Sequence, residues 1–169
     1  PAHRNQYELM AEAILDGRLY IEYNEPEQIE KMMQLENPYD PELRDASGVE
    51  YHWDHSFYNG RYYMYFGVVP VFAVFIPFRL LTGSSLTTYH ATQLFTVFII
   101  LGVFALFDLL RKRFFQKMPY WTYVIMSAAF SVMIVRYSIS APALYCTAIN
   151  SALAFQIWSF YFFSHIFQN

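Results

Sequence analysis

Residues 89–110 read YHATQLFTVFIILGVFALFDLL, 22 positions in which Asp108 is the single carboxylate and no Lys or Arg occurs. About 20 apolar residues cross the hydrocarbon core of a bilayer, so this stretch reads as a membrane helix and decides the fold class. The next seven residues, Arg111-Lys112-Arg113-Phe-Phe-Gln-Lys117, hold four cations. Cytoplasmic loops collect Lys and Arg, which makes this loop the inner one. Asp108 stands three residues before Arg111, the spacing of a local helical ion pair.

Downstream, residues 119–137 and 142–166 are also long enough to span, joined by a short external connection around Ser138–Pro142. Asn150, Gln156 and His165 in the last segment are polar groups of the kind that link helices. Arg136, near the outer end of 119–137, either snorkels to water or serves a function, since ionisable groups at membrane depth are costly. Upstream, residues 64–81 form a weaker segment. Its charge-free run between Arg61 and Arg79 is 17 residues long and contains Pro70 and Pro77. Mid-helix proline removes a hydrogen bond and kinks the chain. The expectation is a kinked, half-inserted helix with both ends outside, which leaves the preceding region external. Arg79 reads as an interfacial anchor.

Composition supports a membrane chain with an unlike first part. Of 169 residues, 56% are hydrophobic, 21% aromatic and 15% charged, against about 25% charged in soluble domains. Residues 1–62 hold 13 acidic and 5 basic groups, a net of −8; residues 63–169 hold Asp108 and 6 basic groups, a net of +5. A disordered chain, a secreted disulfide scaffold and a soluble nucleic-acid binder are excluded. The single Cys146 excludes an internal disulfide and a Cys-cluster metal site. Beginning at Pro1 without a signal peptide and ending at Asn169 beside an apolar segment, the sequence reads as an internal portion of a longer protein.

The expected fold class is therefore mostly α: polytopic membrane helices (64–169) preceded by a juxtamembrane subdomain (1–63) of two amphipathic helices and a β-hairpin. Residues 5–16 show helical spacing, with Tyr7, Met10, Ala11, Ile14 and Leu15 on one face and Glu8, Glu12 and Asp16 on the other; Gly17 is the C′ stop. Leu19–Tyr23 alternates as an extended piece. Asn24 reads as the N-cap of a second helix ending near Glu36, with Pro26 in its first turn, and Asn37-Pro-Tyr-Asp-Pro41 reads as a turn. In residues 50–66, EYHWDHSFYNGRYYMYF, two aromatic runs flank Asn59-Gly60, the signature of a type I′ hairpin turn.

Chemistry-bearing residues cluster around that hairpin. His52, Asp54 and His55 could supply ligands to a divalent cation. On a strand His52 and Asp54 would share a face and His55 would oppose them. The same residues also suit an aromatic-packed strand, or leave Asp54 as a functional carboxylate beside a membrane-surface cleft. Arg61, beside the turn, can present a planar fork to a phosphate at headgroup depth or act as an interfacial anchor. No phosphate-cradling glycine loop, nucleophile elbow, Cys–His pair or zinc signature occurs.

The element order, carried by "LDGRLYIE", "ENPYDPELR", "WDHSFYNGRYYMYFGVVP" and "LLRKRFF", resembles the N-terminal part of bacterial GT-C-type integral membrane glycosyltransferases. It is most similar to the dolichyl-phosphate-mannose–protein mannosyltransferase-like group, related to the lipid A aminoarabinose transferases. The likeness covers most of residues 5–165, and "YNGRYYMYFG" is its most specific piece. It implies an active site at the outer face of the bacterial inner membrane, a polyprenyl-phosphate-linked sugar as donor, and an acceptor whose identity the residues do not specify. It implies inverting transfer, in which a first-loop carboxylate assists the acceptor and cations hold the lipid phosphate. Relatives carry an Asp or Asp-Glu pair where Asn5-Gln6 stands here. Asp54 is then the preferred base, with Glu8 the weaker candidate. Arg61 and Arg136 are the phosphate contacts, and Tyr58, Asn59 and Tyr62 line the substrate cleft. The alternative is a non-catalytic transporter or assembly subunit with an anionic partner-binding loop.

Overall fold

The computed structural model describes residues 5–140 and 144–166. The described residues are mostly helical, with one two-stranded antiparallel sheet among them. It divides into two compact units, Pro1–Ser85 and Leu86–Asn169.

In the first unit, α1 spans Gln6–Leu15. Asn5 caps it by accepting the Tyr7 amide at 3.1 Å, and Gly17 at φ +75° ends it. The Arg18 amide reaches the Ala13 carbonyl at 2.7 Å and the Gly17 amide reaches Ile14 at 3.0 Å, the paired bonds of a Schellman stop. Tyr7, Met10, Ala11 and Ala13 are buried, whereas Leu15 is exposed. Helix α2 is Pro26–Met33, shorter than expected, and Glu25 rather than Asn24 precedes it without a side-chain cap. The Asn37 turn forms, and a helix not foreseen follows it: α3, Pro41–Ser47, capped by Asp40. Seven residues in which only Leu43 and Ala46 are apolar beyond the leading proline give no apolar period to read.

Strands β1 (His55–Tyr58) and β2 (Arg61–Met64) pair with Tyr58 opposite Arg61 and His55 opposite Met64. Asn59 and Gly60 have φ +48° and +67°, the two positive angles of a type I′ turn. The strands are shorter than the 50–66 run. Ile21 bridges Tyr62 from the other side, so the 19–23 segment flanks the hairpin. Buried Met32, Phe57 and Tyr62 form the small core beneath it.

The apolar segment placed at 64–81 begins later. Met64 ends β2, and the helix comprises a π-helical turn, Val71–Phe75, followed by α4, Ile76–Thr82. Pro70 sits at its start rather than inside it. Pro77 follows the π turn, whose wider backbone is a recurrent local answer to an interrupted ladder. Phe75 stacks on Tyr7 at 5.5 Å, so this helix belongs to the first unit.

The second unit is α5 (Thr88–Phe114), α6 (Tyr120–Ser140) and α7 (Leu144–Ile166). Arg111, Lys112 and Arg113 lie in the last turn of α5 rather than in a loop, where cations favour the helix C-terminal dipole. Asp108 pairs with Arg111 at 2.9 Å and with Lys112 at 2.6 Å. Helix α6 runs through residues 138–140 of the expected external connection; the rest of that connection, 141–142, lies outside the described residues. A buried polar thread links the three helices. Thr92 and Thr147 hydroxyls meet at 2.7 Å, and the Asn150 amide donates to Thr96 at 3.1 Å and to Ser138 at 2.7 Å. Gln156 and His165 are exposed.

Two described helices are long and apolar enough to cross a membrane, Thr88–Phe114 and Tyr120–Ile139, and most of each is unburied. A soluble core helix would hide that surface. Helix α7 matches them in length, at 23 residues, and carries Asn150, Gln156 and His165.

Candidate functional site

The sequence places its chemistry around the hairpin, and the first unit holds it there through aromatic packing. Tyr62 is buried at the centre and donates its hydroxyl to Met32 Sδ at 3.2 Å. Around it stand Tyr23, His52, His55 and Phe57, with ring centroids 5.1–5.8 Å away. Edge-on aromatic contacts at such distances are favourable beyond area burial. Burial raises the Tyr62 hydroxyl above its usual range and pushes Tyr23 up to about 12. Neither tyrosine is prepared to lose a proton at neutral pH.

The imidazoles are held within this cage. His52 stacks on Tyr23 at 3.6 Å and meets Glu25 at 3.0 Å. His55 Nε2 lies 2.7 Å from the Tyr23 hydroxyl, and its Nδ1 lies 2.7 Å from the Trp53 carbonyl. Burial lowers the His55 pKa. The expectation that His52 and Asp54 share a strand face does not hold. Strand β1 starts only at His55, and Asp54 has a left-handed φ of +60°, which breaks the two-residue alternation before it. Among the described residues, no three His, Cys, Asp or Glu side chains are grouped to hold a metal ion.

Asp54 is exposed. Its backbone is fixed from α1, where buried Gln6 donates through Nε2 to the Asp54 carbonyl at 3.1 Å. The Asn5-Gln6 pair therefore acts as a cap and a tie. Glu8 lies partly buried on α1.

Arg61 is exposed at the turn end of β2, with its guanidinium 4.3 Å from the Tyr20 ring centre. This cation–π contact was not foreseen. Its signal is the alternation of Leu19–Tyr23, which puts Tyr20 on the face opposite Ile21. Arg61, Tyr20, Glu22 and Asn24 line a cleft of about 330 Å³ floored by Ile29 and Tyr62. Of the expected cleft residues only Tyr62 lines it. Tyr58 is exposed and stacks on Tyr39 at 6.0 Å, and Asn59 forms the turn.

Asp54 and Arg61 stand at opposite ends of the hairpin. Arg61 pairs with Tyr58; from there β1 runs back three residues to His55, roughly 10 Å at about 3.4 Å per residue, and Asp54 lies just beyond the strand end. Arg79 does not join them; its Nη1 donates to Glu12 at 2.6 Å and to Ser85 at 3.1 Å. Arg136 is exposed on α6, in the other unit.

No protein-family model, curated protein or solved structure matches this chain.

Proposed function

We propose that the chain is part of a membrane glycosyltransferase of the GT-C type, moving a sugar from a polyprenyl-phosphate donor to an acceptor at the outer face of the bacterial inner membrane. The observation that carries the reading is the hairpin. It offers an exposed cation beside a cleft at one end and an exposed carboxylate at the other. In inverting transfer the base, the acceptor oxygen, the anomeric carbon and the departing phosphate stand in line. Hydrogen bonds of about 2.8 Å at each end, an approach of about 3 Å and the breaking bond together span roughly 10 Å. Two side chains carried at opposite ends of a strand roughly 10 Å long can bracket that distance.

In this reading Asp54 takes the proton of the acceptor hydroxyl while the acceptor oxygen bonds to the anomeric carbon. The carbon–oxygen bond to the phosphate breaks, and its electron pair leaves with the polyprenyl phosphate. Arg61, held by Tyr20, stabilises that charge. The accompanying membrane arrangement has α5, α6 and α7 as spans, the cations ending α5 at the cytoplasmic face, and residues 1–63 external. The aromatic hairpin and the cation-rich end of α5 support it.

The second reading is a non-catalytic subunit whose anionic surface binds a partner. It is favoured by the exposure of Glu27, Glu30, Glu36 and Glu42 on and beside α2 and α3. The test uses the native-length protein in membrane vesicles supplied with radiolabelled polyprenyl-phosphate sugars. Asp54→Asn is expected to lower transfer by about 10²-fold or more. Arg61→Ala is expected to weaken donor use about tenfold or more. Full activity in both variants would discard the site, and no transfer by the wild type from any donor would leave the second reading.

A further inference from the structure

The helix Val71–Thr82 presents a burial problem. Its sequence, VFAVFIPFRLLT, is apolar on every side, and a helix hydrophobic all round must be covered all round, by protein or by lipid. One side is covered inside the first unit. Val71 and Phe75 are buried, and Phe75 stacks on Tyr7 of α1. Arg79, the single charge, turns to the same side and pairs with Glu12. Thr82, at the helix end, turns its hydroxyl back onto the Phe78 carbonyl at 2.8 Å. The opposite side is a stripe at helical spacing through Val69, Phe72, Pro77, Leu80 and Leu81. Phe72 is 56% exposed, Leu80 69% and Leu81 85%.

We infer that this stripe lies on the bilayer with the helix axis in the membrane plane, Phe72, Leu80 and Leu81 in the acyl layer and exposed Tyr65 at headgroup level. Twelve residues rise about 18 Å, too short to cross roughly 30 Å of hydrocarbon. The stripe runs the length of the helix, so only an in-plane orientation covers all of it. A protein partner is the poorer occupant, because protein interfaces join an apolar centre to hydrogen-bonding groups and the stripe offers no polar side chain. Lipid requires none. The chain also keeps the helix near the membrane. Only residues 83–87 join it to α5, a candidate span, and five residues reach at most about 18 Å. The Glu12–Arg79 pair then has a use: it holds the helix's one charge on the protein side. The inferred in-plane helix stands against the half-inserted one expected from sequence.

The inference rests on the membrane reading of α5 and α6 and is independent of glycosyl transfer. The test reconstitutes the native-length protein in phosphatidylcholine vesicles, with an environment-sensitive fluorophore on a cysteine at one position at a time: Leu81→Cys, Leu80→Cys, Phe72→Cys, Glu42→Cys or Met133→Cys. Cys146 is buried, so unmodified protein gives the labelling blank. Labels at 72, 80 and 81 should be quenched severalfold more by spin-labelled lipid than by aqueous iodide, and the label at 42 should show the reverse. The label at 133, on α6, reports the membrane reading itself. If it escapes lipid quenching, that reading falls and the inference falls with it. If it is lipid-quenched while 72, 80 and 81 meet iodide, or are shielded from both quenchers by protein, the stripe assignment alone is overturned.

Discussion

Glu12 on α1 accepts a 2.6 Å hydrogen bond from the Arg79 guanidinium, an ion pair joining residues 67 positions apart in sequence. Both side chains are partly exposed, so solvent screens the attraction and its net worth is small. Removing one partner is worse than removing both, because a partly buried charge is left behind. Glu12→Gln and Arg79→Met are each expected to destabilise the first unit by roughly 1–2 kcal/mol. The double variant should cost less than the two single losses together. Hydrogen–deuterium exchange across α1, in detergent-solubilised protein, measures this directly. Additive losses would show that the pair carries no coupling.

His55 carries a pH prediction. The Trp53 carbonyl only accepts, so His55 Nδ1 bears the proton and Nε2 accepts from Tyr23. Burial is the main cause of its lowered pKa; His52 at 5.7 Å lowers it further, while the Trp53 carbonyl and Asp54 act the other way. Glu25 faces the cluster through His52. A lowered folded-state pKa means that the unfolded chain binds a proton first as pH falls. Stability is therefore fully present above about pH 6.5, declines below it, and levels off below the folded-state pKa. Exchange protection of the hairpin should fall between pH 7.5 and 5 in the wild type and change less in His55→Gln. An NMR titration placing His55 at or above 6.5 would contradict this.

The type I′ turn gives a conformational prediction. A Cβ on Gly60 would lie 3.5 Å from Ile29 Cγ2, an ordinary contact, so the cost of Gly60→Ala comes from φ +67° rather than from a clash. That cost is roughly 1–2 kcal/mol. Asn59→Gly, at φ +48°, should be nearly neutral. Faster amide exchange at Ser56 and Tyr63, a hydrogen-bonded pair of the ladder, in the first variant but not in the second is the expected pattern. Equal behaviour would assign the effect to packing.

These residues also show what sequence can and cannot disclose. Asn59-Gly60, Gly17 and the 89–110 run were readable because their demands are local: a positive φ, a helix stop, a length of apolar chain. The Asp108–Arg111 pair is three residues long and equally readable. Gln6 was not. Its role depends on a carbonyl 48 positions away, and a position read as a lost acid turns out to fasten Asp54. Arg61 could be recognised as an exposed cation beside a turn. Its Tyr20 partner was legible only in part: the alternation of Leu19–Tyr23 sets the face of Tyr20, but the pairing follows the Ile21–Tyr62 bridge. The π turn likewise has no local signature; the prolines marked residues 70 and 77, and the turn lies between them at Val71–Phe75.

Gly102 supplies the sharpest packing prediction. A Cβ there would sit 2.7 Å from Ile157 Cγ2 and 3.1 Å from Trp158 Nε1, so α5 and α7 approach at a point where only glycine fits. Small residues at such crossings are the usual basis of close helix packing in lipid. Ile157 is β-branched and stiff at χ1 and cannot swing aside. Trp158 is committed to the Phe98 carbonyl at 3.0 Å. Gly102→Ala should therefore cost roughly 1–3 kcal/mol, read as a lower unfolding midpoint together with a change in Trp158 emission as its hydrogen bond is strained. Ile157→Ala removes the Cγ2 and makes room. Added to Gly102→Ala, it should recover part of the loss, with a coupling of about 1 kcal/mol or more. Strictly additive effects would mean that the helices separate freely at this point, and that Gly102 is not what sets their approach.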